Sequence, residues 1–63
     1  MFIKLNVHEG GAALRLARHA RKLSQRQLGE LSGLPIWLIF QIEHGRPAAP
    51  REMTKLLRAL SID

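Results

Sequence analysis

The segment LSQRQLGELSGLPIWLIFQIEHGRP, Leu23 to Pro47, decides how this chain folds. Ser24 followed three residues later by Gln27 fits a capping box, in which a hydroxyl and an amide each satisfy a backbone N–H group that a helix start leaves unpaired. The spacing predicts a helix from Gln25 to about Ser32. Gly33 sits where that helix needs a left-handed residue to end, and Pro35, with no N–H to lose, suits the first position of the next helix. The second helix is expected to run from Pro35 to His44 and to stop at Gly45. Leu28, Leu34, Ile39 and Ile42 are its apolar positions and those of its predecessor, and Gly29 is small where the two helices must cross closely.

Outward from this segment the pattern stays helical. Upstream, Ala13, Leu14, Ala17 and Ala20 recur at three- and four-residue spacing, predicting a helix from Ala12 to Lys22 in which Arg21 and Lys22 suit the negative end of the dipole. Leu16 falls off the inner face of that helix and would meet an N-terminal strand or a second subunit. Downstream, residues 45–49 read as a loop, and Pro50 opens a helix with Met53, Leu56, Leu57 and Leu60 inward and Glu52 in the favourable first turn. Gly10 and Gly11 separate all this from an alternating segment, Ile3, Leu5 and Val7 on one face against Phe2, Lys4, Asn6 and His8 on the other. Such a strand needs a partner, and the same segment of another copy is a candidate.

Size and charge bound the function. The 63 residues allow one small domain, expected to span 1–63 with residues 1–9 as a strand or arm. A chain this short buries only roughly 60% of its unfolded surface, so association is an expected source of stability. It has no cysteine, and His8, His19 and His44 show no ligand spacing, so neither disulfides nor a metal is expected. No apolar run approaches the ~20 residues of a membrane span, and Met1 to Val7 lacks the apolar core of a signal peptide; a cytoplasmic location is expected. Ten Lys plus Arg against five Asp plus Glu give a charge of +5. Arg15, Arg18, Arg21, Lys22 and Arg26 fall in twelve residues without an acid, a basic stripe that suits nucleic acid and would equally suit a solvated helix face.

Helix, glycine turn and helix at the spacing of Gln25 to His44 are those of a helix-turn-helix, whose first helix bridges the DNA backbone while the second enters the major groove. Leu23-Ser24-Gln25, Leu28-Gly29, Gly33-Leu34-Pro35, Ile39 with Ile42, and Glu43-His44-Gly45-Arg46 resemble the Cro and lambda-repressor type of this motif, the XRE family, and with the flanking helices the resemblance covers about residues 12–60. It implies an all-α, four- to five-helix lambda-repressor-like domain. It also implies an ion pair between Arg18 and Glu43, phosphate contacts from Gln25 beside Ser24 and Arg26, and backbone or minor-groove contacts from Arg46 and Arg51.

The second motif helix departs from the family pattern. Base-reading positions that usually carry Ser, Gln, Arg, Thr or Asn hold Pro35, Ile36, Trp37, Leu38 and Phe40, and only Gln41 keeps the paired donor and acceptor of such residues. With Ile39 and Ile42 pointing inward, a domain this small cannot bury every apolar residue of the helix. Three readings follow: Trp37 and Phe40 contact protein; Leu38 and Phe40 are core and Trp37 alone shows; or the face meets thymine methyls and sugar. Ser24 reads as a helix cap rather than a nucleophile, and His44 as a dipole or phosphate contact rather than a ligand.

The expectation is a DNA-binding regulator, acting as a homodimer on double-stranded DNA, with Ile36, Trp37 and Gln41 in the major groove, no enzymatic activity and no cofactor. The alternative is a protein-interaction module using Ile3, Leu5, Val7, Trp37 and Phe40, for dimerisation or, by a weaker resemblance to HipB-type antitoxins, for binding a toxin.

Overall fold

The computed structural model describes residues 10–61, and the strand expected over Ile3, Leu5 and Val7 lies outside them. Four helices follow in order: α1 (Gly10–Ala20), α2 (Gln25–Ser32), α3 (Ile36–Glu43) and α4 (Pro50–Ala59), with no strand among the described residues. The fold is all-α.

The boundaries follow from local chemistry. Ser24 accepts from the Gln27 backbone N–H at 3.0 Å while the Gln27 side chain accepts from the Ser24 N–H at 2.8 Å, so the capping box closes in both directions. Gly33 ends α2 at φ +78°, and its N–H reaches the Gly29 carbonyl at 2.9 Å. Pro50 opens α4, where Glu52 accepts from the Ala49 N–H at 2.9 Å.

Two helices differ in their boundaries from the sequence reading, and α3 ends at Glu43 with His44 as its cap. Pro35 takes extended backbone (ψ 148°) and is the cap before α3 rather than its first helical residue; its carbonyl receives the N–H groups of Leu38 and Ile39. The first helix runs two residues earlier than predicted: Gly10 and Gly11 belong to it, and Lys22 lies beyond it at φ +55°. Packing explains the early start. A Cβ on Gly11 would collide with the backbone carbonyls of Ile42 and Glu43, so the missing side chain is what lets α1 begin against the end of α3.

α3 packs on both α1 and α2, and α2 also packs on α4. The core consists of Leu14, Leu28, Leu34, Leu38, Ile39, Ile42, Leu56 and Leu60. Leu28, Ile39 and Leu56 are wholly buried, each stabilising by about 1.5–3 kcal/mol. Gly29 sits at the α2–α3 crossing, where a Cβ would lie 2.9 Å from the Leu34 carbonyl oxygen and 3.5 Å from Ile39 Cδ1. Met53 and Leu57 are half-buried, whereas Ala20, predicted inward, is exposed at the end of α1. Arg21 ties the ends of the fold together, its Nε donating to the Leu60 carbonyl and its Nη1 to that of Ala17.

Candidate nucleic-acid interface

An ion pair inside the fold fixes where α3 lies. Arg18 Nε donates to Glu43 Oε2 at 2.7 Å and Nη2 to Oε1 at 2.9 Å, a bidentate contact with side-chain exposures of 9% and 1%. The third guanidinium donor, Nη1, reaches the Leu23 carbonyl at 2.9 Å. Burial would push the Glu43 carboxyl up; hydrogen bonds from Arg18 and Gln25, with the charges of Arg18 and Arg15, outweigh that and hold it below the ordinary glutamate range. The hydrogen bond to Glu43 raises the Arg18 pKa in turn, against desolvation. No buried side-chain polar atom among the described residues lacks a partner.

Gln25 joins this pair. Its Nε2 donates to Glu43 Oε1 at 3.2 Å, so the side chain opening α2 is half-buried and braced by α3. Sequence reading placed Gln25 on phosphate alone and missed this bond, because nothing local links positions 25 and 43. The amide has a second N–H, so the brace and an outward contact are compatible.

Each turn of α3 divides cleanly. Leu38, Ile39, Ile42 and Glu43 face inward and are buried; Ile36, Trp37, Phe40 and Gln41 face outward. Trp37 is 58% exposed, Phe40 51% and Ile36 50%. The reading in which Leu38 and Phe40 are both core is therefore half right: Leu38 is core, Phe40 is not. Phe40 stacks on His44 one turn later, ring centroids 4.1 Å apart, and His44 Nδ1 lies 2.8 Å from the Phe40 carbonyl oxygen. The i, i+4 spacing of these two rings carried that signal in the sequence.

Cations flank the apolar strip. Arg26 lines a shallow groove with Glu30, Leu34, Pro35 and Ile36, so one positive and one negative side chain border the start of α3. Arg46 is exposed after Gly45, which turns the chain at φ +108°, and its N–H closes on the Gln41 carbonyl at 3.0 Å. Arg51 is exposed in the first turn of α4. Ser24, also exposed, has its hydroxyl engaged in the cap. Leu16 and Leu31, 70% and 60% exposed, add apolar surface on α1 and α2; Leu31 drew no attention in the sequence because it sits inside a capped helix among polar residues.

A short α2 whose first turn is braced by the inner face of α3, with the outer face of α3 left to solvent, is the geometry of a DNA-binding helix-turn-helix protein. Residues 14–63 match the model of the helix-turn-helix family, and the chain belongs to that family, in its XRE type. Among solved structures, the restriction-modification controller protein C.AhdI from Aeromonas hydrophila is similar at a TM-score of 0.86 and 36% sequence identity, over 90% of this chain and 88% of that one. Comparison with curated protein sequences gave no match. No helix among the described residues is long and apolar enough to cross a membrane.

Proposed function

We propose that this DNA-binding regulator works as a homodimer on a two-fold operator in the cytoplasm, with residues 1–63 acting as a single helix-turn-helix domain and with no enzymatic step. The exposed face of α3, held by the Arg18–Glu43–Gln25 network on the α2–α3 scaffold, carries the reading. Ile36, Trp37 and Gln41 enter the major groove. Ser24, Gln25, Arg26, Arg46 and Arg51 hold phosphates through side chains and through the N–H groups at the start of α2. The likeness to a controller protein supports a regulatory role over mere coating of DNA. Dimerisation is proposed because two-fold operators present two half-sites about one helical turn apart, and because a chain this small gains core from a second copy.

The test is native mass spectrometry of the chain with and without a 20-base-pair duplex, joined to a salt titration. A two-chain complex on duplex is expected, with affinity falling steeply as salt rises because each neutralised phosphate releases counterions. Absence of duplex binding at low salt overturns the reading.

A second reading is favoured by one observation, the exposure of Trp37 and Phe40. In it α3 docks on protein, and Trp37→Ser with Phe40→Ser dissolves the assembly while leaving DNA affinity unchanged. The antitoxin variant of that reading finds no support in the matches.

A further inference from the structure

On the reading of α3 as the major-groove helix, we infer that its outer face reads the C5-methyl group of pyrimidines, so that A·T pairs carry its preference. Ile36 and Phe40 lie one turn apart, as do Trp37 and Gln41, so the four form one continuous strip. Three of them are apolar and at least half exposed. The edges of the base pairs offer donors and acceptors everywhere in the major groove but a single apolar group, the methyl at C5 of thymine. Ile36 and Phe40 pressed on donors and acceptors remove water from them and return no hydrogen bond, and Trp37 can return only its single indole N–H; that cost is avoided where the apolar surface rests on a methyl. Gln41, the one member with both a donor and an acceptor, has the amide geometry that matches adenine N6 and N7, one turn from Trp37. An A·T pair satisfies both kinds of side chain, whereas a G·C pair satisfies neither as well.

Charge argues for DNA beneath this strip. Arg26 borders Ile36 across the shallow groove, whose lining also holds Glu30, and exposed Arg46 follows the end of α3, so a cation lies toward each end of the apolar face with one acid beside the first. Docked on an apolar protein surface, the same face would leave Gln41 without a counterpart. Cytosine methylated at C5 presents the same methyl in the same groove, and experiment separates the two sources.

Duplexes are selected by the full chain from a random pool at low salt, and the affinity of the selected duplex is compared with that of the same duplex synthesised with deoxyuridine in place of thymidine. Removing each contacted methyl is expected to weaken binding about fourfold, and the fully substituted duplex about tenfold or more. In Ile36→Ala/Trp37→Ala, checked for helix content by circular dichroism, the thymidine and deoxyuridine duplexes should bind alike. A parallel arm replaces cytosine by 5-methylcytosine; tighter binding there, with no loss on deoxyuridine, assigns the methyl to cytosine and overturns the A·T preference proposed here. Binding that changes less than twofold in both arms overturns the proposal while leaving DNA binding intact. Dissociation of the oligomer in the double variant, with an unchanged thymidine-to-deoxyuridine ratio, overturns it in favour of a protein interface. Failure to retain any duplex at low salt removes the regulator reading, and this inference with it.

Discussion

Arg18 and Glu43 show how a single interaction can be structurally decisive without being a large source of net stability. Taking both charges out of water offsets much of their attraction, but removing one strands the other in the core. Arg18→Ala or Glu43→Ala should therefore cost about 3–5 kcal/mol, enough to unfold much of a small domain. Arg18→Met with Glu43→Leu should cost less than either single change, as urea denaturation of the three variants will show. Acid adds a second signature. Because the folded carboxyl titrates below its unfolded value, its contribution is fully present above the ordinary glutamate pKa of about 4.3 and is lost as pH falls through the lower folded value. The thermal midpoint of the native chain should drop across that window, and Glu43→Gln should be less stable at neutral pH and flatter in acid.

At the scale of elements, the caps and turns are what make helices of eight residues viable, since isolated helices so short are marginal in water. Ser24→Ala, which opens the capping box, is expected to destabilise by about 1 kcal/mol. A Cβ on Gly33 meets no atom within 4 Å, so the cost of Gly33→Ala is the left-handed backbone alone, about 1–2 kcal/mol, and Gly33→Asn should recover part of it. Shifts in urea midpoint measure both. These same signals made α2, the glycine turn and α4 legible in the sequence, because they depend on neighbours a few residues apart. What depended on distant contacts was not legible. The start of α1 at Gly10 rests on the carbonyls at the end of α3, and the bond from Gln25 to Glu43 joins residues 18 positions apart. The Arg18–Glu43 contact was anticipated only through the family resemblance, and the exposure of Phe40 beside buried Leu38 followed from helix phase once the inner face was fixed.

For the whole molecule, the proposed mode of binding divides the labour between charge and apolar surface. Arg26, Arg46 and Arg51 are exposed on three different parts of the fold: the first turn of α2, the loop after α3 and the first turn of α4. If each holds one phosphate, each arginine-to-alanine change should reduce the slope of log affinity against log salt by about 0.9, without altering which duplex is preferred. A slope that does not move for a given variant removes that arginine from the phosphate contacts.

The clean division of α3 has a consequence for how such a protein can change over generations. The four residues that hold the helix in the core and the four that look outward share no position. Surface changes away from caps and packing usually shift stability by no more than about 0.5 kcal/mol, so Trp37 and Gln41 can be rewritten at little cost to the scaffold, and Ile36 and Phe40 at the cost of the contacts their half-exposed side chains make, the stack on His44 included. If that face reads the operator as proposed, target choice and foldedness can drift largely independently: a lineage could acquire a new operator through a few substitutions without first accumulating stabilising ones elsewhere.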